Sequence, residues 1–224
     1  MTAAAPRRTA GLPLTVNEIF FSIQGEGSRA GQPCVFLRLT GCPLRCRWCD
    51  TAYAFHEGRR REPADVLAEL QRFPSRLLQL TGGEPLAQAA VYPFLTVLLD
   101  AGYQVLVETS GHVLVDKVDP RAVIILDVKA PGSGETARMD WKNLDLLRPQ
   151  DELKIVIQDR ADYEWARSLV RARSLAERSL VLFSPVHGVL APGVLAGWIL
   201  EDGLPVRLQV QLHKYLWPGL ERGV

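Results

Sequence analysis

Seven short apolar runs, most of them ending in a polar or glycine-rich cluster, constrain the fold of this 224-residue chain more than any other feature. They are "CVFLRLT" (34–40), "LLQLT" (77–81), "QVLVET" (104–109), "VIILDVK" (123–129), "ELKIVI" (152–157), "LVLFS" (180–184) and "VRLQVQL" (206–212). Helical patterns lie between several of them. In "PADVLAELQRF", Val66, Leu67, Leu70 and Phe73 recur at helical spacing, and Pro63 suits a first helical turn. Val91, Phe94, Leu95, Leu98 and Leu99 do the same within 88–101, and Gly102 follows as a stop. Segments 160–175 and 190–202 also read as helices, the latter with Val194, Leu195, Trp198 and Ile199 on one face. Strands alternating with helices imply right-handed βαβ units and a largely parallel sheet.

The chemically unusual residues gather at one end of these strands. "TGGEP" follows the strand ending at Thr81, "ETSG" closes the next, and "DVKAP", "FSPVHG" and "QLHK" close later ones. Active sites of βα barrels are built at the carboxyl ends of the strands. Six or so βα units are too few for an eightfold barrel. The expected fold is therefore α/β, a partial, open βα barrel. It forms a single domain over 1–224, with a short irregular N-terminal segment and a C-terminal tail.

Hydrophobic residues make up 47% of the chain and charged residues 23%, the proportions of an ordinary soluble globular protein. A formal net charge of +1 supplies no electrostatic case for binding nucleic acid or membrane. Asn17 and Glu18 cut short any apolar signal region after the early arginine pair. The uncharged stretch 179–200 is broken by Pro185, Gly188, Pro192, Gly193 and Gly197, so it is not expected to span a membrane. The expected location is the cytoplasm, where disulfides are rare and clustered cysteines point to metal or redox chemistry.

"CPLRCRWCD" (42–50) carries three of the four cysteines. Three thiolates spaced C-x3-C-x2-C can hold three irons of a 4Fe–4S cluster, whose full protein complement would be four. A structural zinc site also wants four ligands, and His56 is near enough in sequence to complete one. Cys34 is a poor fourth ligand. It precedes Thr40 by six residues of extended chain, roughly 20 Å at the usual rise per residue, and is expected to be a buried, inert thiol.

The arrangement of Cys42, Cys46, Trp48 and Cys49 resembles the signature of radical S-adenosylmethionine (SAM) enzymes, and Gly82, Gly83 and Glu84 resemble that superfamily's "GGE" element. The resemblance implies a cluster whose fourth iron is bound by the amino and carboxylate groups of SAM. A narrower resemblance covers nearly the whole chain. "FFSIQGEG" (20–27), "VFLRLTGCPLRCRWCDTAYAF" (35–55), "LTGGEPLAQ" (80–88), "VETSG" (107–111), "DVKAPGSG" (127–134), "ELKIVIQD" (152–159) and "QLHKYLW" (211–217) are similar to the 7-carboxy-7-deazaguanine synthase family. That family contracts the ring of 6-carboxy-5,6,7,8-tetrahydropterin with release of ammonia, in 7-deazapurine (queuosine-type) biosynthesis. The contrasting reading is a noncatalytic zinc or iron–sulfur module that docks a partner.

Under the resemblance, Cys42, Cys46 and Cys49 hold the cluster, and the protein's task is to position the cofactors. Gly82 and Gly83 permit close backbone approach to the methionyl end of SAM, and Glu84 accepts from its ammonium. Trp48, Cys49 and Asp50 contact the adenine, and Ser184 and Pro185 offer backbone contacts to SAM. Asp127 and Lys129 share a strand face; they either reach SAM's ribose or carboxylate or form a salt-bridged polar layer. Gln24, Gly25 and Glu26 are expected at one edge of the pterin, whose adjacent amino and N–H donors suit an amide or carboxylate. Arg38, in an apolar strand, needs an anionic partner, either the substrate carboxylate or a structural acid. Thr81 adds a hydroxyl, and His213 orients substrate or moves a proton. Thr51, in "CDT", matches a residue that supplies a hydroxyl to Mg²⁺, an assignment resting on the resemblance alone. His56, His112 and His187 carry no functional expectation. A flavodoxin or ferredoxin is the usual kind of reductant for such a cluster, and the family implies a homodimer.

Overall fold

Alternation along the strands makes the two faces of one sheet chemically different, and that difference creates the site. The computed structural model describes residues 12–224; residues 1–11, which hold most of the expected irregular N-terminal segment, lie outside the described residues. In chain order the elements are β1 (Leu14–Ile23), β2 (Pro33–Leu39), β3 (Arg59–Arg61), α1 (Pro63–Leu70), β4 (Leu77–Gly82), α2 (Val91–Asp100), β5 (Gln104–Thr109) and β6 (Val123–Val128). There follow α3 (Asn143–Leu146), β7 (Glu152–Ile157), α4 (Arg160–Ala172), α5 (Leu175–Arg178), β8 (Leu180–Pro185), α6 (Pro192–Glu201), β9 (Arg207–Leu208) and α7 (Leu212–Leu216). The helix starts follow local chemistry: Pro63 and Pro192 open α1 and α6, and the Asp159 carboxylate caps α4 by accepting from the Asp162 N–H at 3.0 Å.

The strands form one nine-stranded sheet in the order β3-β1-β2-β4-β5-β6-β7-β8-β9. From β2 through β9 every neighbouring pair is parallel, whereas β1 pairs antiparallel with both β2 and β3. The two edges, β3 and β9, do not pair with each other, so the barrel is open as expected. The antiparallel extension of β1 and β3 is an addition to the fold expected from sequence. Among the described residues no helix is long and apolar enough to cross a membrane.

Val35, Leu37, Leu39, Leu78, Leu80, Val105 and Val107 face outward and form one core with the helical residues Val66, Leu70, Phe94, Leu95, Leu98 and Tyr163. The inward residues of the same strands form a second, small cluster: Phe20, Cys34, Phe36, Leu77, Leu106 and Ile125, with Phe20 and Phe36 stacked at 4.8 Å. One step further along these strands the inward positions become polar: Arg38, Gln79, Thr81, Glu108, Asp127 and, on β7, Lys154. A parallel sheet buried on both faces is ordinarily apolar on both. Here the barrel interior has an apolar floor with a polar layer above it.

The loop after β1 reaches across this interior. Gln24 donates to the Gln79 side chain at 3.1 Å, the Gly27 N–H to Gln209 Oε1 at 2.5 Å, and the Ser28 N–H to Glu152 Oε2 at 3.1 Å. These contacts explain where the run 206–212 departs from its expected form. Only Arg207–Leu208 pairs as a strand; Gln209 and Gln211 then turn their amides to Glu26, each at 3.0 Å, and the Leu212 N–H donates to the Gly25 carbonyl at 3.0 Å. The Gln209 N–H makes a last backbone bond to the Phe183 carbonyl at 2.8 Å; beyond it side-chain bonds to that distant loop take over, and the chain continues as α7.

Candidate active site

A cavity of about 570 Å³ is lined by the loops after β2, β4, β5, β6 and β8, by the loop after β1 and by α7. Every residue given a role in the site from sequence lines it except Glu84, Ser184 and Pro185.

The cysteine loop is tied down by the surrounding backbone. The Gly83 and Glu84 N–H groups donate to the carbonyls of Leu39 (3.1 Å) and Gly41 (2.8 Å), and the Gly41 N–H to Ala54 (2.8 Å). On its other side, the Arg45 N–H donates to the Glu135 carboxylate at 2.6 Å and the Arg47 N–H to the Ser133 carbonyl at 3.1 Å. A Cβ at Gly82 would overlap the Leu39 carbonyl oxygen, and one at Gly83 would overlap that of Gly41 and stand 2.8 Å from the Cys42 Cβ. Gly82 also has φ +143°, a conformation suited to glycine. The absence of a Cβ thus lets these glycines pack against the chain's own cysteine loop, and both also line the cavity.

Glu84 departs from its expected role. It is fully buried and accepts from the Leu86 N–H (3.0 Å), the Thr109 hydroxyl (2.9 Å), the Ser110 N–H (2.8 Å) and the Ser110 hydroxyl. A carboxylate so fully engaged has no capacity left for an ammonium; it pins the end of β4 to the end of β5. Ser184 and Pro185 depart from theirs as well. Both remain in the β8 ladder, opposite Val156 and Ile157, so the chain reaches the cavity wall only at Val186 and His187. Pro185 lines a separate pocket of about 310 Å³ beside Tyr215.

Cys42, Cys46 and Cys49 are half-buried and open onto the cavity. Burial pushes the Cys42 and Cys46 thiols up, Cys46 to about 11, while the Lys129 ammonium pulls both back toward the thiolate. Among the described residues no three His, Cys, Asp or Glu side chains converge closely enough to share one metal ion. Three separate thiols suit a cluster, in which each thiolate reaches a different iron. His56 is exposed and stands outside the cavity lining.

Asp127 and Lys129 form the salt-bridged polar pair that is one of their two expected roles, and both line the cavity. Asp127 Oδ2 lies 3.0 Å from Lys129 Nζ and 3.5 Å from Lys154 Nζ, yet Asp127 Oδ1 is buried without any partner. An orphaned acceptor on a cavity wall fits a ligand presenting hydroxyls or an ammonium, as SAM does.

The polar layer below is one connected network. Lys154 Nζ bonds Glu26 at 2.8 Å and also bonds Glu108, which accepts from Gln79 (3.0 Å) and Thr81 (3.1 Å). Burial opposes the charge on Lys154, but Glu108, Glu26 and Asp127 together outweigh it and hold its pKa well above the usual lysine range. Burial likewise opposes the Glu108 charge, and Lys154 overcomes it, bringing that carboxyl down to about 2. Gln79, Glu108, Lys154, Gln209 and Gln211 escaped the sequence reading. Their signal is a lone polar side chain at the inward parity of an apolar strand, or just past its end.

His213 stands against Gly25, where any Cβ would overlap its Nδ1. Burial lowers the His213 pKa, with Glu26 and Asp50 resisting. Partial burial would raise the Asp50 carboxyl, but Lys214 at 3.4 Å and the Gln211 amide at 3.2 Å hold it below the ordinary value. Thr51 Oγ1 lies 3.8 Å from Cys49 Sγ, facing the cavity. Arg38 found its structural acid, Glu18, at 2.7 Å, and still lines the cavity. His187 and the tail residue Val224 also line it.

The model of the Radical SAM superfamily matches residues 37–127, from β2 to the end of β6. A 7-carboxy-7-deazaguanine synthase of Koribacter versatilis is 45% identical over 226 residues, covering 94% of this chain and 100% of that protein. The chain belongs to the 7-carboxy-7-deazaguanine synthase family. Another member, from Chlorobaculum tepidum, is 44% identical over 95% of this chain and 98% of its own length. Both alignments run well past the superfamily match and include β7, the strand that supplies Lys154. The crystal structure of QueE from Escherichia coli shares the fold, with a TM-score of 0.75 at 23% identity over 90% of this chain and 95% of that one.

Proposed function

We infer that this chain is a 7-carboxy-7-deazaguanine synthase, contracting the ring of 6-carboxy-5,6,7,8-tetrahydropterin with release of ammonia. The observation that carries the reading is that one cavity is lined both by the three-cysteine loop and by the Glu26–Lys154–Glu108 network.

Cys42, Cys46 and Cys49 would hold a 4Fe–4S cluster through three irons, leaving one for SAM. When bound, the cluster and SAM supply the reductive cleavage that starts radical chemistry. Everything else falls to the chain. Asp127 Oδ1 would accept from a SAM hydroxyl or ammonium, and Trp48, Cys49 and Asp50 would border the adenine. Gln24, Glu26 and Thr81 would orient the pterin through its amino, N–H and carbonyl groups, and Gly25 lets His213 pack beside them. Arg38 would fork the substrate carboxylate. The lowered pKa of His213 keeps its imidazole neutral near pH 7, able to accept a proton. Thr51 would offer its hydroxyl to Mg²⁺, a hard ion that completes its shell with water and substrate oxygens. A flavodoxin or ferredoxin would deliver the electron, the enzyme would act as a homodimer, and a reducing compartment such as the cytoplasm suits its free thiols.

The test is anaerobic reconstitution with iron and sulfide, then incubation with SAM, reductant, Mg²⁺ and carboxytetrahydropterin. Carboxydeazaguanine is the expected product. A cluster-loaded protein that cleaves SAM with another substrate but makes no carboxydeazaguanine overturns the assignment.

A further inference from the structure

Three arginines surround the cysteine loop where it meets the loop after β6. Arg45 is exposed, sits over the Phe55 ring at 4.2 Å, and donates from Nη1 to the carbonyls of Cys42 and Leu44, both at 2.7 Å. Arg138 is exposed and donates from Nη1 to the Pro43 carbonyl at 2.5 Å. Arg47 is exposed, with its guanidinium beside Gly134. Two of the three guanidiniums are therefore anchored to the backbone of residues 42–44, and Arg45 and Arg47 flank Cys46 in sequence.

Their charges are uncommitted. Among the described residues neither Arg45 nor Arg47 has a carboxylate within 4.0 Å, whereas Arg61, Arg121, Arg148 and Arg167 each have one at 2.6–2.9 Å. The acid nearest to Arg138 is Glu135 at 3.9 Å, and that carboxylate is buried and already accepts from the Arg45 N–H. In a chain with 26 basic and 25 acidic residues, three exposed arginines facing no exposed acid mark a local positive field.

We propose that Arg45, Arg47 and Arg138 form the docking surface for an acidic one-electron carrier protein. The proposal rests on the functional reading above, because only a reducible cluster at Cys42, Cys46 and Cys49 needs such a partner. Arg45 and Arg138 do not line the cavity, so they are not spent on SAM or substrate; Arg47, though exposed, borders the cavity as well and is the secondary member of the surface. Small, transient electron-transfer interfaces draw their on-rate and selectivity from complementary charge. A partner seated on guanidiniums bonded to residues 42–44 stands next to the thiolates themselves. The step is a single electron transfer: the carrier is oxidised by one electron, the cluster is reduced by one, and no bond forms or breaks.

The experiment pairs two readouts on the cluster-loaded protein. Calorimetric titration with oxidised flavodoxin measures docking without turnover, and dithionite-driven turnover bypasses the carrier. The double variant Arg45→Gln/Arg138→Gln keeps donors for the loop carbonyls and removes two charges. It is expected to weaken flavodoxin binding about tenfold, the sum of two exposed charge interactions, and to flatten its salt dependence between roughly 20 and 200 mM. Dithionite-driven turnover and iron content are expected to stay unchanged. Unaltered flavodoxin affinity and salt dependence would overturn the proposal. If the double variant takes up less iron, the single variant Arg138→Gln, at a residue outside the cavity lining, decides by the same two measurements. Failure of the functional reading looks different: the unsubstituted protein then makes no carboxydeazaguanine even with dithionite.

Discussion

Glu18 holds one edge of the Arg38 guanidinium and leaves the other facing the cavity. Its Oε1 accepts from Arg38 Nε at 2.7 Å and from the Tyr53 hydroxyl at 2.8 Å. With Nε committed, the terminal nitrogens remain for a bidentate carboxylate. Glu18→Gln keeps the shape and weakens the hold on Arg38. The expected effect is a KM for carboxytetrahydropterin about tenfold higher, worth roughly one charge-assisted hydrogen bond, with kcat nearly unchanged. Arg38→Lys, which loses the fork itself, is expected to cost more. Steady-state kinetics checks both; a fall in kcat at constant KM would contradict this placement.

Gly83 is where two loops meet most tightly. An added Cβ would overlap the Gly41 carbonyl and crowd the Cys42 Cβ, neither of which can move without shifting the cysteine loop. Gly83→Ala is expected to cost on the order of 1–3 kcal/mol and to lower the iron bound per chain. Gly102→Ala is the control: it also strains the backbone, at φ +84°, but an added Cβ there meets nothing within 4 Å. It should lower Tm while leaving iron content intact. Equal iron loss in both variants would refute the argument.

Lys154 offsets three inward carboxylates, so Lys154→Met leaves Glu26, Glu108 and Asp127 without their shared cation. Breaking a buried pair by removing one partner costs about 3–5 kcal/mol. The pH dependence has a definite sign. Glu108 is depressed from 4.5 to about 2 by Lys154, so its contribution is complete above pH 4.5 and is lost as pH falls toward 2. The stability gap between the parent protein and Lys154→Met should therefore narrow across that window, as measured by urea unfolding. A gap independent of pH would rule out the pairing.

Much of this site was legible because strand parity and loop glycines are local signals. "LTGGEP" and "CPLRCRWCD" mark their own positions, and apolar runs place them at one end of a parallel sheet. What stayed hidden depends on partners distant in sequence. Glu84 looks like a ligand residue until Thr109 and Ser110 are seen to satisfy it. Lys154 and Glu108, 46 residues apart, reveal their roles only when β5 and β7 face the same interior. The run 206–212 has strand alternation, but its ladder stops after Gln209, and the side chains of Gln209 and Gln211 bond Glu26, far earlier in the chain.

Cys34 tests whether the fourth cysteine belongs to the site. It is fully buried beside Phe20 and Phe36 on the apolar floor, and burial pushes its thiol up to about 12. Cys42, Cys46 and Cys49 open onto the cavity instead. In cluster-free, folded protein an aromatic disulfide reagent should modify these three thiols and reach Cys34 only after unfolding, because both access and thiolate formation are blocked there. Cys34→Ala is expected to retain iron and the anaerobic brown absorbance, with a modest stability loss of about 1 kcal/mol for the vacated volume. Cys46→Ala should lose the cluster while remaining folded by circular dichroism. Iron loss in Cys34→Ala at unchanged secondary structure would place the fourth thiol among the ligands and leave no open iron for SAM.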